Sequence, residues 1–165
     1  MSRAVFSLLV DNSAGVLSRI SGLFSRRGYN IDSLSVGETE DPRYSRMTVV
    51  ATGEDEILEQ IKKQLEKQVD VIEIVELKSH TTSVCRELLL FKVEVGPDTR
   101  DQLVSIVNIF RAKIIDFAEN SMIIELTGNQ AKVDAFIRLL GSYNVLEMAR
   151  TGITGLVRGG MEQDI

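Results

Sequence analysis

Residues 10–32 read Val10-Asp-Asn-Ser-Ala-Gly-Val-Leu-Ser-Arg-Ile-Ser-Gly-Leu-Phe-Ser-Arg-Arg-Gly-Tyr-Asn-Ile-Asp32, and this one segment holds the end of a strand, a turn, a helix and the start of a second strand. The strand is expected over 4–10 and the turn around Gly15. A helix follows over about 15–27, because Val16, Ile20, Leu23 and Phe24 recur at the i, i+4, i+7, i+8 spacing of a single apolar face. Arg26 and Arg27 occupy the last turn, where cations complement the helix dipole, and Gly28 supplies the residue able to take a positive φ beyond it. The turn leads into a helix whose first amide groups have no partner within the helix. Such an end suits a small carboxylate.

Outward from this segment the pattern continues with strands at 30–38 and 45–52, a helix at 54–68 and a strand at 70–77. Polar residues 78–83 read as a linker. The order then repeats: a strand at 87–95, a helix at 99–111, strands at 113–118 and 122–127, a helix at 131–140 and a strand at 144–149. The halves also agree in detail. Thr52-Gly53-Glu54 precedes one helix, and Thr127-Gly128-Asn129 stands at the matching place in the other half. Each is followed, 18 and 17 positions beyond its glycine, by a valine opening a final strand, Val71-Ile-Glu-Ile and Val145-Leu-Glu-Met. The fold class is therefore α+β, with two ferredoxin-like βαββαβ units in tandem. The expected domains are residues 1–78 and 79–165.

Helix faces fit that class. Ile57, Ile61 and Leu65 make one row, with Glu59 and Lys63 placed to pair on the solvent side. Leu103, Val107 and Phe110 make another, and Val133, Phe136, Ile137 and Leu140 a third. Two helices on one face of each sheet would bury them. Residues 72–77 and 88–93 are apolar on both strand faces, so the second sheet face also needs cover, expected from association beyond the single chain.

Composition narrows function. Hydrophobic residues make up 44% and charged residues 26%, with a net charge of −5 and the two signs interspersed. That is the balance of a soluble globular protein and argues against nucleic acid or an acidic membrane as partner. The longest apolar run, Leu88-Leu-Leu-Phe91, is far short of the ~20 residues a membrane helix requires. The strand begins too near residue 1 for a signal peptide, and a cytoplasmic location is expected. The single Cys85 excludes an internal disulfide and is expected to be buried and inert. The single His80 falls in the linker and reads as an exposed spacer. Neither a Gly-x-x-x-x-Gly-Lys-Ser/Thr nor a Gly-x-Gly-x-x-Gly run is present. Glu54, Asp55, Glu56, Glu59 and Glu66 read as the first turn and wet face of a helix rather than as catalytic carboxylates. RNA-binding modules share the element order, but the central strands here, Arg46-Met-Thr-Val-Val-Ala51 and Met122-Ile-Ile-Glu-Leu126, lack the aromatics that stack bases. A non-enzymatic chain is expected.

The turn Asn12-Ser-Ala-Gly-Val-Leu17 and the downstream Arg27-Gly-Tyr-Asn-Ile31 together resemble the ACT domain, a family of small amino-acid-sensing modules. Three further stretches extend the resemblance: Glu38-Thr-Glu-Asp-Pro-Arg-Tyr-Ser-Arg-Met-Thr48, Glu59-Gln-Ile-Lys-Lys-Gln-Leu-Glu-Lys67 and Ala149-Arg-Thr-Gly-Ile-Thr-Gly-Leu-Val-Arg-Gly159. With these, nearly the whole chain is similar to the small regulatory subunit of acetolactate synthase, also called acetohydroxyacid synthase, of branched-chain amino-acid biosynthesis.

The resemblance implies that the N-terminal unit is an ACT domain, and that the chain has no active site and no cofactor of its own. It assigns thiamine diphosphate, Mg²⁺ and FAD to a separate catalytic large subunit. By the same resemblance, the small subunit activates that partner and confers feedback inhibition by valine or a related branched-chain amino acid. It would form a homodimer or a larger assembly in which ACT domains pair side by side, with the effector between them. Asn12 and the turn amides of Gly15, Val16 and Leu17 would come from one chain, and Asn30 and Ile31 from its partner. Taken singly, Asn12 could cap the helix, Gly15 serve the turn and Asn30 tolerate a bend; the set at this spacing reads as a site. Two other readings stay open: a structural activator that senses nothing, and an amino-acid sensor serving another enzyme or a transcription factor. The hairpin around Asp41-Pro42-Arg43 is either a solvated loop or a contact with the catalytic subunit. The role of Arg150-Thr-Gly152 and Arg158-Gly-Gly160 is open, and residues 161–165 are expected to fray.

Overall fold

A computed structural model describes residues 1–160; the expected frayed tail at 161–165 lies outside the described residues. The elements run β1 (Ser2–Asp11), α1 (Val16–Arg26), β2 (Ser33–Glu38), β3 (Tyr44–Gly53), α2 (Asp55–Glu66) and β4 (Val71–Glu76). They continue as β5 (Ser83–Glu94), α3 (Arg100–Ile109), β6 (Lys113–Phe117), β7 (Ser121–Gly128), α4 (Gln130–Leu139), β8 (Val145–Arg150) and β9 (Thr154–Val157). Both βαββαβ units are present, and β4 and β8 open at the two valines the repeat singled out.

The chain packs as two compact units, the first from residues 1–85 together with residues 153–160, the second from Arg86–Gly152. The expected division at 78/79 thus meets a different contact boundary. The stretch after Gly152 closes back on the first unit because Ile153 finds a place there: it is buried, its N–H donates to Ser33 Oγ (3.2 Å) and its carbonyl accepts from Ser35 Oγ (2.9 Å).

In the first unit the antiparallel sheet has the order β2-β3-β1-β4. β1 and β3 pair from Ser2↔Gly53 to Asp11↔Tyr44, and β2 and β3 from Ser33↔Val50 to Glu38↔Ser45. Alternate residues Phe6, Leu8, Met47 and Val49 point to the helices and meet Val16, Ile20, Leu23 and Phe24 of α1 in one core. Each such fully buried side chain contributes about 1.5–3 kcal/mol. The α1 face is the one the sequence indicated. The α2 face agrees at Ile61 and Leu65, both buried, and differs at its first member, where Leu58 is buried and Ile57 is half-exposed. The buried stripe thus starts one residue later than the expected row and then coincides with it. Glu59 and Lys63 do sit together, at 3.9 Å on the wet side.

The opposite face of this sheet carries a polar row, Ser7 on β1, Thr48 on β3 and Ser35 on β2, in register across three strands. Ser7 Oγ accepts from Arg46 (3.0 Å), and Thr48 Oγ1 is buried without a partner among the described residues. β9 pairs with β5, and Gly155 lies so close to Leu77, Val84 and Cys85 that a Cβ there would come within 3 Å of each. Part of the cover expected from a second chain is therefore supplied by this one. Cys85 is half-buried rather than buried, and His80 is exposed, its carbonyl accepting from Arg158 (3.1 Å).

The second unit has the sheet order β6-β7-β5-β8. Its core holds Leu89, Phe91, Leu103, Met122, Ile124, Val133, Phe136 and Leu140, with Phe110 and Ile137 only partly buried. Buried Glu87 is held by Arg150 Nε and Nη2 at 2.6 and 2.9 Å, and Arg150 Nη2 also reaches Asp134 at 3.2 Å. Glu87, with Asp134 behind it, raises the Arg150 guanidinium above its usual value. No helix among the described residues is long and apolar enough to cross a membrane.

Candidate functional site

The end of β1 is fixed on two sides before the turn begins. Asp11 N–H donates to the Asp70 carbonyl (3.0 Å), and Asn12 N–H donates to the Arg43 carbonyl in the β2–β3 hairpin (2.8 Å). Asn12 Nδ2 then donates to the Pro42 carbonyl (2.9 Å) and to Glu38 Oε2 (3.3 Å). Both neighbours are acceptors only, so the amide nitrogen must face them and Oδ1 must face away. Oδ1 has no partner among the described residues. Asn12 is therefore not the helix cap.

Gly15 is the cap, at φ 85° and ψ −7°, and no side chain bonds the first turn. Its conformation is left-handed, a region glycine enters without the Cβ penalty. Its carbonyl accepts from Arg19 N–H at 2.9 Å. The Val16 N–H reaches the Ser13 carbonyl only at 3.5 Å, and the amides of Gly15 and Leu17 have no partner among the described residues. The donor-rich helix start anticipated from the sequence is present. Val16 is buried beneath it, while the Leu17 side chain stays about half-exposed beside the bare amides.

Arg19 and Asp70 are the site neighbours that local sequence patterns do not reveal. Arg19 Nε and Nη2 hold the two Asp70 oxygens at 2.6 and 3.0 Å. Its Nη1 lies 2.8 Å from the point where a Cβ on Gly15 would stand. Glycine is favoured there by its φ, and a Cβ would also oblige the guanidinium crossing its face to swing aside. Hydrogen bonding from Arg19 holds the Asp70 carboxyl below the ordinary range and raises the guanidinium. The partners are 51 positions apart, and no motif signals the pair.

Asn30 and Ile31 follow the other end of α1. The chain turns there through Gly28 (φ 70°) with Tyr29 N–H on the Phe24 carbonyl at 2.9 Å. Asn30 Nδ2 donates to Asp32 Oδ1 (3.1 Å), and Thr52 Oγ1 holds the second Asp32 oxygen. Asn30 Oδ1 is left without a partner among the described residues, as in Asn12. Ile31 is half-buried against the core.

The six residues fall into two groups. α1 is 11 residues long, about 16 Å at 1.5 Å per residue, and the groups lie at its two ends. Sheet register agrees: the Asn12 group stands beside Tyr44 at the start of β3, the Asn30 group beside Thr52 at its end. β2, which joins them along the edge of the sheet, has no strand paired on its outer side among the described residues. A separate groove of about 210 Å³, lined by Arg3, Phe6, Asp55, Leu58 and Glu76 among others, sits at the start of β1, away from the turn.

Residues 6–73 match the acetohydroxyacid synthase small-subunit-like ACT domain family, and residues 86–159 match the family described as small subunit of acetolactate synthase. The chain belongs to the acetolactate synthase small-subunit family. It is 48% identical over 153 residues to a probable acetolactate synthase small subunit of Archaeoglobus fulgidus, covering 93% of this chain and 95% of that one. It is 49% identical over 153 residues to the acetolactate synthase small subunit of Mycolicibacterium smegmatis, covering 93% and 89%. The crystal structure of the acetolactate synthase small subunit from Thermotoga maritima superposes with a TM-score of 0.88 at 40% identity, covering 98% of this chain and 100% of that one. The family match runs through both units and includes the segment that returns to the first.

Proposed function

We propose that this chain is a non-catalytic regulatory subunit that activates the catalytic subunit of acetolactate synthase and makes it inhibitable by valine or a related branched-chain amino acid. The observation that carries the reading is the pair of groups at the two ends of α1. One end offers unpartnered amides, the other a second asparagine, and each asparagine has its amide nitrogen committed and its oxygen free. Antiparallel pairing of β2 edges in a two-fold dimer would reverse one copy against the other. The start of one β2, with Asn30, then meets the end of its mate, with Asn12 and the turn. Turn amides would hold the α-carboxylate, a helix-end contact of ~0.3–1 kcal/mol and up to ~2 when partly buried. The two free oxygens would accept from the α-ammonium, and Leu17 with Ile31 would flank an aliphatic side chain.

Thiamine diphosphate, Mg²⁺ and FAD are assigned to the catalytic chain and none to this one. A cytoplasmic location of the pair belongs to the same reading. Coupling between effector and catalytic sites is reciprocal and typically ~1–3 kcal/mol. Calorimetric titration with L-valine, leucine and isoleucine tests the reading, beside assays of the catalytic subunit with and without this chain. Heat of binding with raised, effector-sensitive activity is expected. Activation with no effector response would instead identify a structural activator.

A further inference from the structure

We propose that the Asn12 side chain is a connector that transmits occupancy of the Gly15 turn to the tip of the β2–β3 hairpin, residues 39–43. This rests on the effector reading above and adds the route by which the site is sensed. The tip is internally built. Tyr44 N–H donates to the Asp41 carbonyl (3.0 Å), Thr39 N–H to the Tyr44 carbonyl (3.0 Å) and Thr39 Oγ1 to the Asp41 carbonyl (2.9 Å). The Arg43 guanidinium holds Asp41 at 2.6 Å and lies 5.3 Å from the centre of the Tyr44 ring. A loop bonded this closely to itself moves as one piece.

Among the described residues, the hydrogen bonds that tie the tip to anything beyond its own hairpin all come from Asn12. They are the backbone N–H on the Arg43 carbonyl and Nδ2 on the Pro42 carbonyl, with Glu38 at the base of the hairpin as a second acceptor for the same nitrogen. One planar amide therefore has the hairpin on its nitrogen and the free lone pairs on its oxygen, which is turned away from the hairpin. Donation through Nδ2 polarises the amide and makes Oδ1 a better acceptor, and an ammonium on Oδ1 strengthens the Nδ2 bonds in return. The link is reciprocal: a ligand that holds Oδ1 steadies the tip, and whatever displaces the tip swings Oδ1 away. Glu40, Pro42 and Arg43 are exposed or partly so, and the tip presents this change at the surface.

The test is hydrogen–deuterium exchange of the full chain with and without saturating L-valine, beside calorimetry on the same samples, for wild type and Asn12→Asp. That substitution replaces the Nδ2 donor by an acceptor, so the side chain holds neither the Pro42 carbonyl nor Glu38, and it keeps an oxygen for the ammonium and leaves the turn amides in place. Wild-type exchange over residues 38–45 should slow about fivefold or more, the lower end of ordinary coupling, and Asn12→Asp should still bind with clearly less slowing. Heat of binding with unchanged exchange over this hairpin overturns the connector and leaves the effector reading standing. Equal slowing in both chains also overturns it, because the tip would then be steadied by another route. No heat and no slowing removes both together.

Discussion

Gly15 and Gly28 flank α1, both in the left-handed region at φ 85° and 70°, yet their surroundings differ. A Cβ on Gly28 would meet nothing within 4 Å, whereas one on Gly15 would stand 2.8 Å from Arg19 Nη1. Alanine at Gly28 therefore measures the backbone cost alone, about 1–2 kcal/mol for an L-residue held left-handed. With a urea m-value of about 2 kcal/mol/M, that lowers the midpoint of the first unit by roughly 0.5–1 M. Alanine at Gly15 carries the same cost and must also push the guanidinium off its bidentate contact with Asp70. The long side chain can swing, so the added cost is small in energy, but it disorders the residue beside the turn. Urea titration followed by circular dichroism gives both numbers, and the Arg19→Ala background removes the clash from the comparison. The Gly15→Ala loss should exceed the Gly28→Ala loss in the wild-type background and equal it in Arg19→Ala. Losses below about 0.5 kcal/mol at both sites would refute the left-handed reasoning. An unchanged difference in the Arg19→Ala background would refute the steric part. Valine calorimetry on Gly15→Ala should show weakened binding, since the amides it disturbs are the proposed carboxylate donors.

The ion pairs supply two further tests. Arg150→Ala leaves the Glu87 carboxylate buried beside a lost partner, and should cost about 3 kcal/mol by denaturant titration; replacing both residues with leucine should recover most of the loss, and a single-variant cost no greater than the double's would show that the pair is not what holds Glu87 there. The Arg19–Asp70 contact is pH-linked. Because the folded Asp70 value is depressed, its stabilisation is present above the unfolded value of about 3.9 and is lost as pH falls through the folded value. Stability measured from pH 7 down to pH 2 should fall less in Asp70→Asn than in wild type, and identical acid profiles would remove Asp70 from the linkage.

Much of this molecule is written locally. The α1 stripe from Val16 to Phe24, the breaks at Gly15 and Gly28, the two Thr-Gly helix entries and the valines opening β4 and β8 all lie where periodicity and turn chemistry placed them. Each depends on residues within a few positions of one another. The buried α2 face departs by one residue from the expected row because Ile57, Leu58, Ile61 and Leu65 satisfy two overlapping helical rows. Which row is buried depends on how the helix lies on the sheet.

Sequence alone therefore determined the two βαββαβ units, the family and the place where the first helix starts. Tertiary structure decided the rest. It sent Ile153 back to the hydroxyls of Ser33 and Ser35, carried Arg19 across Gly15 to Asp70, and turned Asn12 onto the hairpin with its oxygen left free. Those partners are from 26 to 120 positions apart. An apolar stripe or a glycine reports that a surface must be covered or a bend made. Only the closed chain, in which donors meet acceptors from remote segments, selects which distant residue does it.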